Sequence, residues 1–246
     1  MNCGSDRKFA GHLWPALAMG QDEAVVLVVL RAVLASLLRL LWRPRVEGLG
    51  HVPRSGPVLI ASNHLSFFDS VVLPLVVPRR VVFLAKADYF EGRGLGGTLT
   101  RLWFEAIGAV PVKRGTHAEA LASLQLALRV LADGDGFGIY PEGTRSRDGR
   151  LYRGRTGVAW LALASGAPVV PAGVIGTDRV QPVGARRPRI APVTVRFAAP
   201  VLPGTYAGLP AALARRQLTD DVMDAIGELT GQPRCPAYNQ PAPSPT

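Results

Sequence analysis

Apolar and polar residues are arranged along this chain in blocks that predict alternating strands and helices. Short apolar runs, typical of strands buried on both faces of a sheet, occur at 58–61, 81–85, 137–140, 169–175 and 193–197. Between them, 117–132 and 157–164 repeat apolar residues every three or four positions, as amphipathic helices do. This alternation predicts an α/β fold: a single domain with a mostly parallel mixed sheet flanked by helices.

The longest apolar run, residues 24–42, is interrupted by arginines. At about 100° per residue, one sector of a helix holds Arg31, Ser36, Arg39 and Arg43. The pattern predicts an amphipathic helix that lies in a membrane interface, with its arginines among lipid phosphates and Trp42 at the boundary. One alternative is a helix packed on the domain core. A membrane span is disfavoured because a central arginine costs about 2.5–3.5 kcal/mol on insertion scales.

Four segments are predicted in chain order. Residues 1–20 show no periodicity and no secretory signal, and Met19 is a candidate for the natural start. The segments are a disordered segment or extra N-terminal extension at 1–20, the interface helix at 21–45, the main domain at 46–230 and a disordered Pro-rich tail at 231–246.

Charge and composition restrict the partners. The 246 residues carry a formal net charge of +10, and 48% of them are hydrophobic. A protein this basic and this apolar suits an anionic surface, either nucleic acid or an acidic membrane. Because no nucleic-acid-binding motif occurs, we expect a membrane partner and no nucleic acid. Two cysteines, without metal-ligand spacing to any histidine, predict no disulfide framework, no metal and a location on the cytoplasmic side of the membrane.

The main candidate for chemistry is the pair His64 and Asp69, directly after the apolar run at 57–61. A carboxylate can fix the tautomer of an imidazole and stabilise the imidazolium that forms when it takes a proton. Since the protein supplies no nucleophilic serine to complete a triad with this pair, the attacking hydroxyl would come from a substrate. An alternative is structural: Ser66 and Asp69 have the spacing of a helix capping box.

Other polar residues follow predicted strands in the same way. Lys86, Arg114 and Glu142 each come directly after a strand, as His64 does. Functional loops of parallel sheets gather at the carboxyl ends of the strands. We therefore expect these four side chains to share one edge of the sheet.

Four sequence blocks, in order, give the chain a family resemblance. The blocks are His64 to Asp69, Gly108 to Arg114, Pro-Glu-Gly-Thr-Arg-Ser at Pro141 to Ser146, and the apolar segment Val169 to Gly176. With these blocks the chain resembles the lysophospholipid and glycerol-3-phosphate acyltransferase family, whose bacterial members acylate 1-acylglycerol-3-phosphate. The third block is the most specific of the four.

The resemblance implies both a fold and an activity. The fold would be glycerol-3-phosphate acyltransferase-like, and the activity a transfer from acyl-CoA or acyl carrier protein to a lysophospholipid, with no cofactor. His64 would be the general base and Asp69 its orienting partner. Arg114, Glu142 and Gly143 would hold the phosphate headgroup by family resemblance. Further candidates for substrate binding are Lys86, Thr144 and Arg145, with backbone N–H groups at 142–144 as oxyanion donors.

Two features depart from the family pattern. Arg153 and Arg155 stand near the place where relatives usually carry a lysine before a glycine, and Pro111 removes one backbone donor from the second block. Three alternatives stay open: another lysolipid or amino-lipid alcohol as acceptor, a catalytically idle membrane-binding protein, and a nucleic-acid-binding protein. A serine hydrolase is disfavoured because the chain has no Gly-x-Ser-x-Gly sequence.

Overall fold

The structure is a computed structural model of the 246-residue chain. It describes residues 39–86, 109–112, 117–185 and 187–240, together with a few positions within 29–37 and 92–104. The predicted N-terminal extension and Arg114 lie outside these residues.

The centre of the fold is a seven-stranded sheet with the order β1-β8-β7-β2-β5-β3-β4. All neighbours pair in parallel except β7 and β8, which are antiparallel. The strands are β1 (Arg45–Glu47), β2 (Val58–Ser62), β3 (Val81–Lys86), β4 (Ala109–Val112), β5 (Gly136–Ile139), β7 (Val169–Ile175) and β8 (Thr194–Phe197). This sheet confirms the predicted α/β class.

Besides the helix that ends at Trp42, five helices accompany the sheet in the part of the chain that the structure describes. They are α1 (Asp69–Val76), α2 (His117–Ala132), α3 (Gly157–Ser165), α4 (Thr177–Val180) and α5 (Ala211–Thr230). The helices α2 and α3 match those that the apolar periodicity predicted at 117–132 and 157–164. Short 3₁₀ turns occur at Leu49–His51 and Pro203–Tyr206.

Two apolar clusters, one on each face of the sheet, form the core. Successive residues of β2 alternate between them: Val58 and Ile60 pack with α1, whereas Leu59 and Ala61 pack with α2, α3 and α5. Because both faces are covered, β2 reads as an unbroken apolar run. Its carboxyl end is held between those of β5 and β7 at the middle of the sheet.

The N-terminal helix has two different sides in its described part. Ala35 and Trp42 pack against the core, and the Trp42 indole N–H donates to the carbonyl of Arg189 at 2.8 Å. Large apolar side chains on the opposite side are 43–66% exposed: Val29, Val33, Leu37, Leu40 and Leu41. Among the residues that the structure describes, no helix has the length and apolarity needed to cross a bilayer.

The C-terminal segment differs from its prediction as a disordered tail. Residues 231–240 lie against the domain, where β9 (Arg234–Cys235) pairs in parallel with the short strand β6 (Leu151–Tyr152). The backbone N–H of Leu151 donates to the carbonyl of Pro233 at 2.9 Å. A proline carbonyl accepts hydrogen bonds like any other, so the Pro-rich composition did not prevent this pairing.

Candidate active site

The predicted histidine–aspartate pair is formed, at the carboxyl end of β2. The Nδ1 atom of His64 lies 2.9 Å from Oδ2 of Asp69. That same oxygen accepts the backbone N–H groups of Leu65 at 2.7 Å and Ser66 at 2.8 Å, while Oδ1 accepts the hydroxyl of Thr177. All partners donate toward this fully buried carboxyl, as suits a carboxylate anion. His64 Nδ1 then carries its proton, and Nε2 is the acceptor left for a substrate.

The predicted structural role of Asp69 coexists with the dyad. The bond from the Ser66 N–H to Asp69 is the acidic half of a capping box, and the Ser66 hydroxyl accepts the N–H of Phe68 at 3.1 Å. One carboxylate therefore holds the turn that precedes α1 and orients the imidazole. The turn that starts the helix also fixes the geometry of the dyad.

A tyrosine covers one face of the imidazole. The rings of His64 and Tyr140 stack with centroids 3.8 Å apart and planes inclined by 9°. The Tyr140 hydroxyl lies 2.9 Å from the hydroxyl of Ser70, and the centroid of its ring lies 5.9 Å from that of Phe83. The imidazole is thus held by stacking on the face of the tyrosine ring as well as through Nδ1.

Glu142 connects the two loops of the site through their backbones. Its Oε1 accepts the N–H of His64 at 3.2 Å and its Oε2 accepts the N–H of Tyr152 at 3.0 Å. The carbonyl of His64 in turn accepts the N–H of Ser146 at 2.7 Å. The Pro-Glu-Gly-Thr-Arg-Ser loop therefore holds the backbone of the histidine at both its N–H and its carbonyl.

Burial raises the pKa of Glu142 from 4.5 to about 7, although its two backbone N–H bonds act in the opposite direction. Because the folded protein then holds this proton more tightly than the unfolded chain, the free energy of unfolding falls as the pH rises from about 4.5 through 7. At 1.36 kcal/mol per pKa unit, the fall is about 3 kcal/mol.

The Glu142→Gln variant should lack this pH dependence. We expect wild type to lose stability relative to the variant between pH 5 and pH 8. The glutamine NH2 group that faces a backbone N–H also lowers the free energy of unfolding of the variant, but by the same amount at every pH. Denaturant unfolding of both proteins at pH 5, 6, 7 and 8 measures the difference. Parallel pH profiles would show that Glu142 does not titrate in this range.

A cavity of about 320 Å³ opens beside the imidazole. His64, Tyr140, Gly143 and Arg155 lie on it. Most of its remaining wall is apolar and comes from β3, β5, α2 and α3, including Phe83, Leu84, Leu124, Phe137, Ile139 and Val158. This volume is at the small end of the range for ligand sites, about 300–1,000 Å³.

The other predicted site residues fall into three groups. Glu142 and Gly143 lie beside the dyad. The N–H of Gly143 donates to the Tyr140 carbonyl at 2.9 Å, so this N–H closes a turn and does not face the cavity. Thr144 and Arg145 are half-buried in the same loop. Lys86 ends β3 as expected, but its side chain, like all of Arg114, lies outside the described residues. Their substrate-binding roles stay predictions.

Three residues of the site were not assigned from the sequence. Tyr140 was taken only as the end of a strand, and Thr177 follows the fourth block without a signal of its own. Arg155 was noted as a departure from the family pattern, and it is this side chain that lines the cavity. In contrast, Arg147, Arg150 and Arg153 are exposed and do not line this cavity.

Comparison with known proteins identifies similar sequences and a similar fold. The profile of the family described as Acyltransferase matches residues 43–175, more than half of the chain. A chloroplastic 1-acyl-sn-glycerol-3-phosphate acyltransferase of Brassica napus is 31% identical over 144 residues, which cover 58% of this chain and 40% of that protein. The human 1-acyl-sn-glycerol-3-phosphate acyltransferase alpha is 30% identical over 129 residues, 52% of this chain and 44% of the human protein.

The chain thus spans less than half the length of these two relatives. Among solved structures, the 1-acyl-sn-glycerophosphate acyltransferase PlsC of Thermotoga maritima has a similar fold, with a TM-score of 0.64 and 22% sequence identity. The similarity covers 86% of this chain and 84% of that one.

Proposed function

The chain belongs to the Acyltransferase family, and on that basis we propose that it transfers a fatty acyl group from an acyl thioester to 1-acylglycerol-3-phosphate. The donor is acyl-CoA or acyl carrier protein, and the product is phosphatidic acid. The observation that carries the proposal is the His64–Asp69 pair at the wall of an apolar cavity. The names of the relatives support the choice of acceptor.

The proposed reaction uses the substrate hydroxyl as nucleophile. His64 Nε2 takes the proton of that hydroxyl as its oxygen attacks the thioester carbonyl carbon. Asp69 stabilises the imidazolium through Nδ1. When the tetrahedral intermediate breaks its C–S bond, the imidazolium returns the proton to the leaving sulfur, which departs as a thiol. No acyl-enzyme forms, so the cycle needs one base and no protein nucleophile.

The walls of the cavity support an acyl ligand. Leu84, Leu124, Phe137 and Val158 offer apolar surface directly beside the imidazole. Burial of a methylene group contributes about 0.8 kcal/mol, so a fatty chain gains most of its binding energy from such a wall. The carbonyl at the end of that chain would then lie near His64.

A membrane surface is the proposed source of the acceptor lipid. The exposed apolar side of the N-terminal helix faces away from the core, which fits a helix lying in the interface with a peripheral enzyme on the cytoplasmic face. The net charge of +10 suits anionic lipids. Flotation with vesicles of anionic phospholipid tests this location, and protein left entirely in the aqueous fraction would contradict it.

An assay with purified protein, acyl-CoA or acyl carrier protein loaded with the same chain, and 1-acylglycerol-3-phosphate tests the activity. We expect phosphatidic acid, identified by mass spectrometry, and one equivalent of free thiol. Parallel reactions with lysophosphatidylcholine and with an amino-lipid alcohol identify other acceptors. If no acceptor is acylated, the chain is a membrane-binding protein without this activity.

A further inference from the structure

Residues 232–240 form a strap across the loop that carries Glu142, Gly143 and Thr144. β9 in this strap pairs with β6, and further along, the N–H of Arg153 donates to the carbonyl of Ala237 at 3.0 Å. The side chain of Gln232 donates to the carbonyl of Gly149 at 2.7 Å. The strap therefore runs along residues 149–153, which follow the Glu142 loop.

The far end of the strap holds Arg155. The guanidinium carbon of Arg155 lies 5.5 Å from the centroid of the Tyr238 ring, within the range of a cation–π contact. Its Nη2 donates to the carbonyl of Asn239 at 3.3 Å. Asn239 is itself buried, and its side-chain amide donates to the carbonyl of Thr144 at 3.3 Å. Two neutral groups of the strap thus contact this cation, and the guanidinium carbon of Arg153 lies 5.3 Å from the same Tyr238 centroid.

Arg155 keeps its charge available for a ligand. Within the described part of the chain, no carboxylate lies within 4.0 Å of its guanidinium, whereas Arg150 of the same loop is paired with Asp148 at 2.6 Å. Of the five N–H donors of a guanidinium, one goes to the Asn239 carbonyl. Arg155 is exposed and also lines the cavity that His64 borders, so it stands at the solvent end of that cavity.

Gly143 gives the Arg155 side chain its path. A Cβ atom at position 143 would lie 3.0 Å from Nε and 3.1 Å from Cδ of Arg155. The residue also has a φ of 79°, in the left-handed region that favours glycine. The glycine of the motif therefore serves the turn and the close approach of the arginine.

We propose that Arg155, oriented by Tyr238 and Asn239, binds the phosphate monoester of the acceptor lipid beside His64. The inference rests on the proposed function, since it names the group that would receive the acceptor's headgroup. A guanidinium is suited to this because its planar fork donates two parallel bonds to phosphate oxygens. Tyr238 and Asn239 are positioning residues in this scheme, for they act through Arg155.

Kinetics of Arg155 variants test the binding step. Loss of a charge-assisted bond should raise the KM for 1-acylglycerol-3-phosphate by about 10- to 100-fold in Arg155→Ala, with kcat reduced far less. Arg155→Lys should recover part of the loss. The KM for the acyl thioester should stay unchanged, as should the KM for 1-acylglycerol, which lacks the phosphate. Arg150→Ala is the matched control, because that arginine belongs to the same loop but not to the cavity.

A double-mutant comparison tests whether Tyr238 of the strap acts through Arg155. Tyr238→Ala should raise the same KM by about three- to tenfold, whereas Tyr238→Phe, which keeps the ring, should not. In an Arg155→Ala background the effect of Tyr238→Ala should disappear, as expected for a residue that acts through another. Additive effects in the double variant would contradict the positioning role.

The two proposals fail in different ways. Wild type that acylates no acceptor refutes the proposed function. Wild type that is active, with an unchanged acceptor KM in Arg155→Ala, refutes only the phosphate site. Unchanged thermal unfolding of Arg155→Ala and Arg155→Lys shows that a kinetic change does not come from misfolding.

Discussion

Replacing His64 by alanine is expected to lower the rate of acyl transfer by about 10²- to 10⁴-fold, the usual contribution of a general base. The side chain is only 13% exposed, yet its removal should leave the loop in place. The bonds from the His64 N–H to Glu142 and from the Ser146 N–H to the His64 carbonyl belong to the backbone and persist in the variant. Turnover with saturating acceptor and donor measures the effect.

His51→Ala is the control for this variant. His51 is an exposed histidine in the 3₁₀ turn before β2, and it does not border the cavity. We expect wild-type turnover from it, and thermal unfolding of both variants close to that of wild type. A well-folded His64→Ala protein that retains most of the transfer rate would refute the mechanism.

Replacing Asp69 by asparagine is expected to reduce turnover by about 10²- to 10⁴-fold while the fold survives. The asparagine carbonyl can take the place of Oδ2 and accept from His64 and from the backbone of Leu65 and Ser66. Its amino group would then face Thr177, whose hydroxyl can accept instead of donate. What is lost is the charge that stabilises the imidazolium, so kcat should fall with little change in either KM.

Asp69→Ala should behave differently. It leaves the N–H groups of Leu65 and Ser66, in the turn before α1, buried without an acceptor, at about 1–3 kcal/mol each. We expect a clearly lower unfolding temperature from this variant but not from Asp69→Asn. Equal stability of the two would show that the carboxyl does not hold the turn, and wild-type turnover of Asp69→Asn would show that its charge plays no part.

Local patterns predicted the sheet and the dyad because the same residues meet local and global requirements. The apolar run at β2 is continuous since both of its faces are buried, and it delivers His64 to the carboxyl edge of the sheet. Asp69 is only five positions away, so the turn into α1 brings it to the imidazole without help from distant residues. Short-range geometry of this kind is visible in a sequence.

Contacts between distant residues were not visible. The ring of Phe83 fits beside Tyr140 only because its partner in the sheet, Gly138, has no side chain: a Cβ there would lie 2.1 Å from the ring. The sequence around position 138 contains no pattern that predicts its pairing with Phe83. The strap was missed for a related reason, since many of its bonds to the loop use backbone carbonyls, such as those of Pro233 and Ala237, which every sequence possesses.

The strap also sets an order of events during synthesis. Residues 232–240 are translated after every other described part of the site, long after His64 and Asp69. A nascent chain that has just completed β8 would contain the base and its acid but not the groups that orient Arg155. If the N-terminal helix binds lipid and Arg155 binds the headgroup, as proposed above, lipid contact by the helix, which is synthesised before the strap, can precede headgroup binding.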